Sequence, residues 1–347
     1  MRTISSNLLN NKVTKNYSMT PKIGKRIVAD LKKRSEKGLE LAKQILQAEK
    51  MEHPTLRDAL KHYITYWNDF THPGLFSIAC EAVGGNPDDV VLTQASIAMM
   101  AAAFDIHDDI IDKSKVKHKI STVYGKFGIE IALILGNIFL IEGFKLFDDS
   151  AKVLPKVKEK EAFETVKRLT FEVGNAHATE VCLKKEQKRI ALDDYLKVIE
   201  MKAAEIELDM HQGALFGGGE GIEVDTLAKL GRIVGILGIL REEFIDIFEI
   251  DELCQRIAVQ DLPLPILFAM QEHNAERKLL SIISKRKITK SDVDKLVNVT
   301  LEAEPVIKLK EKMKFLIEDG KRLTNNLPKL KVKTQLQILL SFMLEDL

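Results

Sequence analysis

AMMAAAFDIHDDIID, from Ala98 to Asp112, is an apolar run that ends in acids spaced acid-acid-x-x-acid. A second run, GILGILREEFIDIF from Gly235 to Phe248, has the same grammar. At about 100° per residue, positions i, i+1 and i+4 of a helix fall within one sector. Asp108, Asp109 and Asp112 therefore share one face, as do Glu242, Glu243 and Asp246, and Asp105 joins the first sector. Met99 to Phe104 and Ile236 to Leu240 leave no polar face just upstream, so both trios are expected at the ends of buried helices.

The rest of the chain agrees with a helical reading. Of nine prolines none lies between Pro155 and Pro263, and Leu, Ile, Glu, Lys and Ala fill that gap in helical rather than alternating order. The expected fold is all-α, a single-domain helical bundle of roughly ten helices. Breaks are expected at HPGL (72–75), GGNPDD (84–89), DDSAKVLP (148–155), GGGEG (217–221), DLPLP (261–265) and NNLP (325–328). The glycine cluster lacks the GK[ST] ending of a phosphate loop and has no preceding strand, so it reads as an interhelical turn. Apolar helical patterning crosses every break, which gives one domain over residues 25–347. Residues 1–24, basic and polar without the apolar core of a secretory signal, read as a flexible arm.

Composition narrows the function. The 347 residues are 45% hydrophobic and 30% charged, enough for a large core, and 52 Lys+Arg nearly cancel 51 Asp+Glu. That balance leaves no electrostatic footprint for nucleic acid. Cys80, Cys182 and Cys254 are odd in number and widely separated, which argues against a disulfide framework or zinc site and for a cytoplasmic protein. The most apolar run, Ile131 to Ile141, is interrupted by Asn137 and is too short for a membrane span.

With 51 acids in the chain, the spacing alone would recur by chance; its burial gives it meaning. Three like charges on one sector raise one another's pKa unless cations neutralise them. Oxygen-only ligation suits Mg²⁺ or Mn²⁺ rather than zinc, and Mg²⁺ bridges carboxylates to substrate phosphates. Two facing trios would thus make a pocket for a diphosphate. On the residues alone, a pair of acidic helix ends salt-bridged to nearby lysines remains an equal alternative.

HDDIIDKS (107–114) closely resembles the first aspartate-rich motif, DDxxD, of the trans-isoprenyl diphosphate synthase family, and EEFID (242–246) falls where the second belongs. IACEAVGG (78–85) and LPLPILFAM (262–270) are similar to family segments, and Lys202 falls at the lysine of a Lys-Thr pair. The resemblance runs from about Leu56 to the C-terminus. It implies a bundle around a central cavity, usually dimeric, in which three Mg²⁺ held by the two motifs grip an allylic diphosphate. Ionisation gives an allylic cation, the double bond of homoallylic isopentenyl diphosphate attacks, and proton loss leaves a chain five carbons longer. By this resemblance Asp108, Asp109, Asp112 and Lys202 are catalytic, and the metal ligands are those three aspartates with Glu242, Glu243 and Asp246. His72, Phe104, Lys117, His118 and Lys202 contact substrate, and Phe104 stands where a cavity floor is set. Without the resemblance, Lys202 would read as a helix-surface lysine.

The sequence also departs from the family. The basic motif GGKRxRP, which binds isopentenyl diphosphate, aligns with WNDFTHP (67–73), where Asp69, Phe70 and His72 replace a lysine and two arginines. Arg57, Lys61, His62 and His72 are candidates to compensate, or form a solvated helix face. An Arg-Arg-Gly becomes Lys117-His118-Lys119, which keeps charge but loses the guanidinium forks. Ala203 replaces the threonine after Lys202, and Ile239 a glutamine. His177 and Glu180, at i and i+3, either line the cavity or sit in the core. Chain elongation is the first expectation. An allylic-diphosphate-ionising enzyme with another acceptor, such as a terpene synthase, is the second. A non-catalytic partner of a heteromeric enzyme is the third, against which the retention of both acidic trios counts.

Overall fold

The computed structural model describes residues 21–117, 119–185, 192–258, 261–345 and 347. It is 81% helical. In chain order the helices are α1 (Pro21–Ala48), α2 (Pro54–Tyr66), α3 (Thr71–Ala82), α4 (Val91–Ile111), α5 (Val123–Phe127), α6 (Ile129–Ala151), α7 (Lys156–Lys185), α8 (Leu192–Lys202), α9 (Ala204–Phe216), α10 (Gly221–Asp246), α11 (Ile250–Ala258), α12 (Leu264–Ala269), α13 (His273–Ile283), α14 (Lys290–Glu302), α15 (Glu304–Thr324) and α16 (Leu330–Phe342). Among the described residues the only strands are β1 (Val116–Lys117) and β2 (Ile120–Ser121), an antiparallel hairpin that pairs Lys117 with Ile120. No sequence pattern announces this hairpin, because two-residue strands are too short to show a period.

Most expected breaks fall between helices, and the exception has a simple cause. HPGL lies in the first turns of α3, where the missing N–H of Pro73 costs nothing. The chain turns just before it, at Trp67–Phe70. The helices also outnumber the estimate because short kinks, such as Ala203 between α8 and α9, carry no proline or glycine to announce them. Ala203 is a close-contact site: a Cβ on Gly235 of α10 would come within 2.9 Å of its Cβ.

Three layers of contact bring the functional ends together. Helix α4 packs most extensively on α6, and Ser96 Oγ donates to the Gly143 carbonyl at 2.9 Å across that interface. Helix α9 lies between α3 and α10. It approaches α3 so closely that a Cβ on Gly213 would stand 2.2 Å from the Phe76 carbonyl oxygen. Buried Gln94 ties three helices: it accepts from the Gly38 N–H of α1 and donates to the carbonyls of Arg34 and of Pro73 in α3. A core of Leu60, Trp67, Met99, Ile106 and Phe139 thereby fixes the direction of α4. The window Pro87–Ile111 is long and apolar enough to cross a membrane, yet 67% of it is buried inside the protein.

Tight helix contact predicts a contrast between two glycines. Gly213→Val should lower stability by ~2 kcal/mol or more through overpacking against α3. Gly174→Ala, where an added Cβ meets nothing within 4 Å, should raise it by ~0.5–1 kcal/mol through helix propensity. Urea unfolding of both variants checks the pair.

Candidate active site

The carboxy-terminal turns of α4 carry Asp105, Asp108, Asp109 and Asp112. Asp108 and Asp109 are each 5% exposed, and Asp112 is the exposed C-cap. A helix C-terminus already carries partial negative charge, so this placement is doubly unfavourable without cations. Lys117, delivered by the hairpin, answers part of that demand: its Nζ is 2.8 Å from Asp105 Oδ1 and 2.7 Å from Asp109 Oδ1. Burial opposes its charge, but Asp105 and Asp109 outweigh burial and hold the ammonium above its usual range. Burial nevertheless pushes the Asp109 carboxyl up to about 7, with Asp105 and Asp108 adding to the rise and Lys117 working against it.

Two elements close over Asp108. His177 of α7 places Nδ1 3.3 Å from Asp108 Oδ1. Burial lowers the imidazole to about 4 despite that carboxylate, so it is neutral at pH 7. One turn on, Glu180 is ion-paired with Lys202 at the end of α8. Lys202 also lies within electrostatic reach of Asp108 and Asp112, and these acids with Glu180 raise its pKa against burial. Its side chain is 16% exposed, so it is not a surface lysine. The pair His177 and Glu180 faces the acidic cluster rather than the core. Phe104, one turn before Asp108 on the same face, is half-buried.

The second trio is held differently. Arg256 of α11, 4% exposed, donates to Glu243 Oε1 at 3.1 Å and Oε2 at 3.2 Å, to Asp246 Oδ2 at 2.7 Å and to the Asp261 carbonyl at 2.8 Å. Glu243 Oε2 also accepts from the Leu264 N–H at 2.7 Å. Glu242 is half-buried. Sequence reasoning missed Arg256, although a signal existed: it is the only Lys or Arg between Arg241 and Arg277, in a stretch crowded with acids.

His72, expected at substrate, instead stands in the core at the start of α3, 5% exposed. Its Nδ1 is 2.7 Å from Asp209 Oδ2 of α9, and its Nε2 is 4.0 Å from Asp69 Oδ2. Burial opposes protonation, but Asp209 and Asp69 overcome it and raise the imidazole to about 10. Asp69 accepts from the Thr71 N–H at 3.0 Å, a cap-like bond that puts negative charge at the helix start. Asp209 is thus the nearer of the two acids that hold His72 inward. Of the other candidates, Arg57 and Lys61 lie on the exposed face of α2, and His62 Nε2 is 2.7 Å from the Ser121 carbonyl oxygen. His118 lies outside the described residues.

The residues suit a divalent ion by the chemistry of their donors. Among the described residues, Asp105, Asp108, Asp109, Asp112 and Glu180 set five carboxylates against two ammonium groups, Lys117 and Lys202, with His177 neutral. The donors are all oxygen, as Mg²⁺ requires. Among the described residues no three His, Cys, Asp or Glu are already grouped as a metal cluster; Lys117 and Arg256 occupy the intervening positions.

A family model described as polyprenyl synthetase matches residues 53–300. The chain is 27% identical over 202 residues to a short chain isoprenyl diphosphate synthase of Methanothermobacter thermautotrophicus, covering 57% of this chain and 60% of that protein. It is 22% identical over 245 residues to a geranylgeranyl diphosphate synthase of Sulfolobus acidocaldarius, covering 70% and 71%. The solved geranylgeranyl pyrophosphate synthetase of Pyrococcus horikoshii has the same fold, with a TM-score of 0.79 at 21% identity over 93% of this chain and 99% of that one. A polyprenyl synthase of Caulobacter crescentus, solved with calcium and isoprenyl diphosphate, gives 0.76 at 16% identity over 92% and 97%.

The buried His72 cluster predicts a pH-dependent stability. A histidine raised in the fold stabilises it fully below its free value of 6.5 and loses that contribution as pH climbs toward 10. His72→Phe leaves Asp209 and Asp69 buried without their cation and should cost ~3–5 kcal/mol at pH 6. The gap to wild type should narrow by pH 10, as measured by urea unfolding at both pH values.

Proposed function

The chain belongs to the polyprenyl synthetase family of prenyltransferases, and on that premise we propose that it is a Mg²⁺-dependent enzyme transferring the prenyl group of an allylic diphosphate to isopentenyl diphosphate. The observation that carries the metal dependence is the excess of buried carboxylate at the end of α4. When bound there, divalent ions would offset the negative charge that builds on the diphosphate as its C–O bond breaks. Asp108, Asp109 and Asp112 would hold them, with Glu242 the member of the second trio not bound to Arg256 in the contacts described above.

The chain's own residues supply the rest. Lys202, positioned by Glu180, aims a buried ammonium at the same region and adds fixed positive charge for the leaving group. Half-buried Ala101 and Phe104, which precede Asp108 on α4, are the residues that would meet the hydrocarbon, whereas Ala102 and Ala103 are packed in the core. The allylic cation is attacked by the double bond of the acceptor, a new C–C bond forms, and loss of one proton restores a double bond in a chain five carbons longer.

A second reading keeps the ionisation but changes the acceptor. It is favoured by His72, whose charge is engaged by Asp209 and Asp69 and is not offered to a second diphosphate. The two readings differ in what releases diphosphate.

The expected partner is a second copy of the chain or a related subunit. Helix α6 presents Ile129, Leu133, Ile134 and Ile141 at 47–68% exposure, an apolar stripe that water would leave uncovered only at a cost. Leu133→Asp should shift the protein to a smaller species in analytical ultracentrifugation.

Purified protein with Mg²⁺ and dimethylallyl, geranyl, farnesyl or geranylgeranyl diphosphate, with and without isopentenyl diphosphate, tests the activity by mass spectrometry. Elongation requires isopentenyl diphosphate; diphosphate release without it establishes the second reading. Chelation of Mg²⁺ should abolish turnover, and Asp108→Asn should lower kcat by about 10²–10³-fold, the scale of losing one charge-stabilising group. No product and no released diphosphate in any mixture overturns both readings.

A further inference from the structure

The hairpin β1–β2 places a single lysine against the first acidic cluster. Lys117 Nζ contacts Asp105 Oδ1 at 2.8 Å and Asp109 Oδ1 at 2.7 Å, and its side chain is 20% exposed. We propose that Lys117 is a resident counter-cation that a divalent ion must displace from Asp109, so that the free protein takes up metal weakly and takes up metal together with diphosphate tightly. This rests on the metal-dependent reading above.

The geometry makes the two cations competitors. Mg²⁺ binds a carboxylate oxygen at about 2.0–2.1 Å and keeps several waters in a near-octahedral shell. An ammonium on the same Oδ1 stands in that shell and repels the incoming charge. With a divalent ion seated, Asp109 would no longer favour Lys117, which would keep Asp105 at its side and have charge to offer a diphosphate brought in with the ion. Lysine suits this exchange, being a strongly hydrated point charge on a flexible four-carbon stem.

The hairpin permits the swing because its base is pinned independently of Lys117. Thr122 Oγ1 donates to the Ser114 carbonyl at 2.7 Å and the Thr122 N–H to the Lys115 carbonyl at 3.0 Å. On the other side the Ser121 carbonyl is 2.7 Å from His62 Nε2 of α2. Moving the Lys117 side chain breaks none of these bonds. Neither of the other site cations matches this description. Lys202 is ion-paired with Glu180 rather than with Asp109, and Arg256 is locked by Glu243, Asp246 and the Asp261 carbonyl.

Mn²⁺ titration of the full chain, followed by electron paramagnetic resonance, tests the exchange without turnover. In the absence of diphosphate, Lys117→Met should bind Mn²⁺ at least about tenfold more tightly than wild type, the size of a one-unit change in carboxylate affinity. Inorganic pyrophosphate should tighten Mn²⁺ binding by wild type at least as much, and by Lys117→Met distinctly less. Lys117→Arg keeps the cation and should bind weakly like wild type, and Lys119→Met, on the same hairpin, should be unchanged. Should the methionine variant fail to fold, the inference stands or falls on Lys117→Arg, whose Mn²⁺ affinity must not exceed that of wild type. Mn²⁺ binding by folded Lys117→Met that is no tighter than wild type overturns the inference and leaves the metal reading intact. If wild type binds no Mn²⁺ even with pyrophosphate, the metal reading itself fails and the inference with it.

Discussion

Four aspartates at the carboxy-terminal end of one buried helix set the terms for everything around them. The end of α4 carries the negative pole of the helix as well as the side-chain charges, and Asp108 and Asp109 are 5% exposed, so water relieves little of the repulsion. The surroundings respond with Lys117 from the hairpin, Lys202 from the end of α8 and a neutral His177 from α7. The outcome is uneven: burial chiefly drives Asp109 up to about 7, whereas nearby positive charge, that of Lys202 and Lys117 included, holds Asp108 below the usual carboxylate range. Two adjacent carboxylates with opposite shifts share this helix end, and the apolar packing of α4 on α6 holds them there.

The same principle separates the α3–α9 interface from this cluster. There His72 answers Asp209 and Asp69 internally, and the group becomes a buried link between two helices whose backbones already touch near Gly213. A buried ion pair is weak evidence for net stability against an apolar alternative, yet removing one partner is expensive. The link therefore fixes the relative position of α3 and α9 and, through Glu205 of α9, which lies within electrostatic reach of both His72 and Asp108, stands next to the acids at the end of α4.

The fold was legible because its signal is cumulative. Proline-free helical patterning over 155–263 and the two acid-tipped apolar runs already imply a bundle, and no single residue decides it. The first trio was legible too, since Asp108, Asp109 and Asp112 share a face by spacing alone. Partners were not. His72 looked like a replacement for an arginine, and only the approach of Asp209, 137 positions along the chain, makes it an internal cation. Arg256 went unnoticed because its three acceptors come from α10 and the segment before α12, and sequence distance hides that convergence. Lys202 was placed by resemblance rather than by pattern, and what distinguishes it from a surface lysine is its burial beside Glu180.

The two trios are thus unequal in a way their shared spacing conceals. Arg256 is planar, permanently charged and bonded through three of its nitrogens to Glu243, Asp246 and the Asp261 carbonyl, so its departure would leave several buried acceptors unmet at once. Lys117 makes two contacts from a flexible stem over a hairpin anchored elsewhere. Displacing the protein's own cation therefore breaks fewer contacts at α4 than at α10. At α10, by contrast, Arg256 gathers Glu243, Asp246 and the Asp261 carbonyl into one buried knot that ties α11 and the segment before α12 to the end of α10.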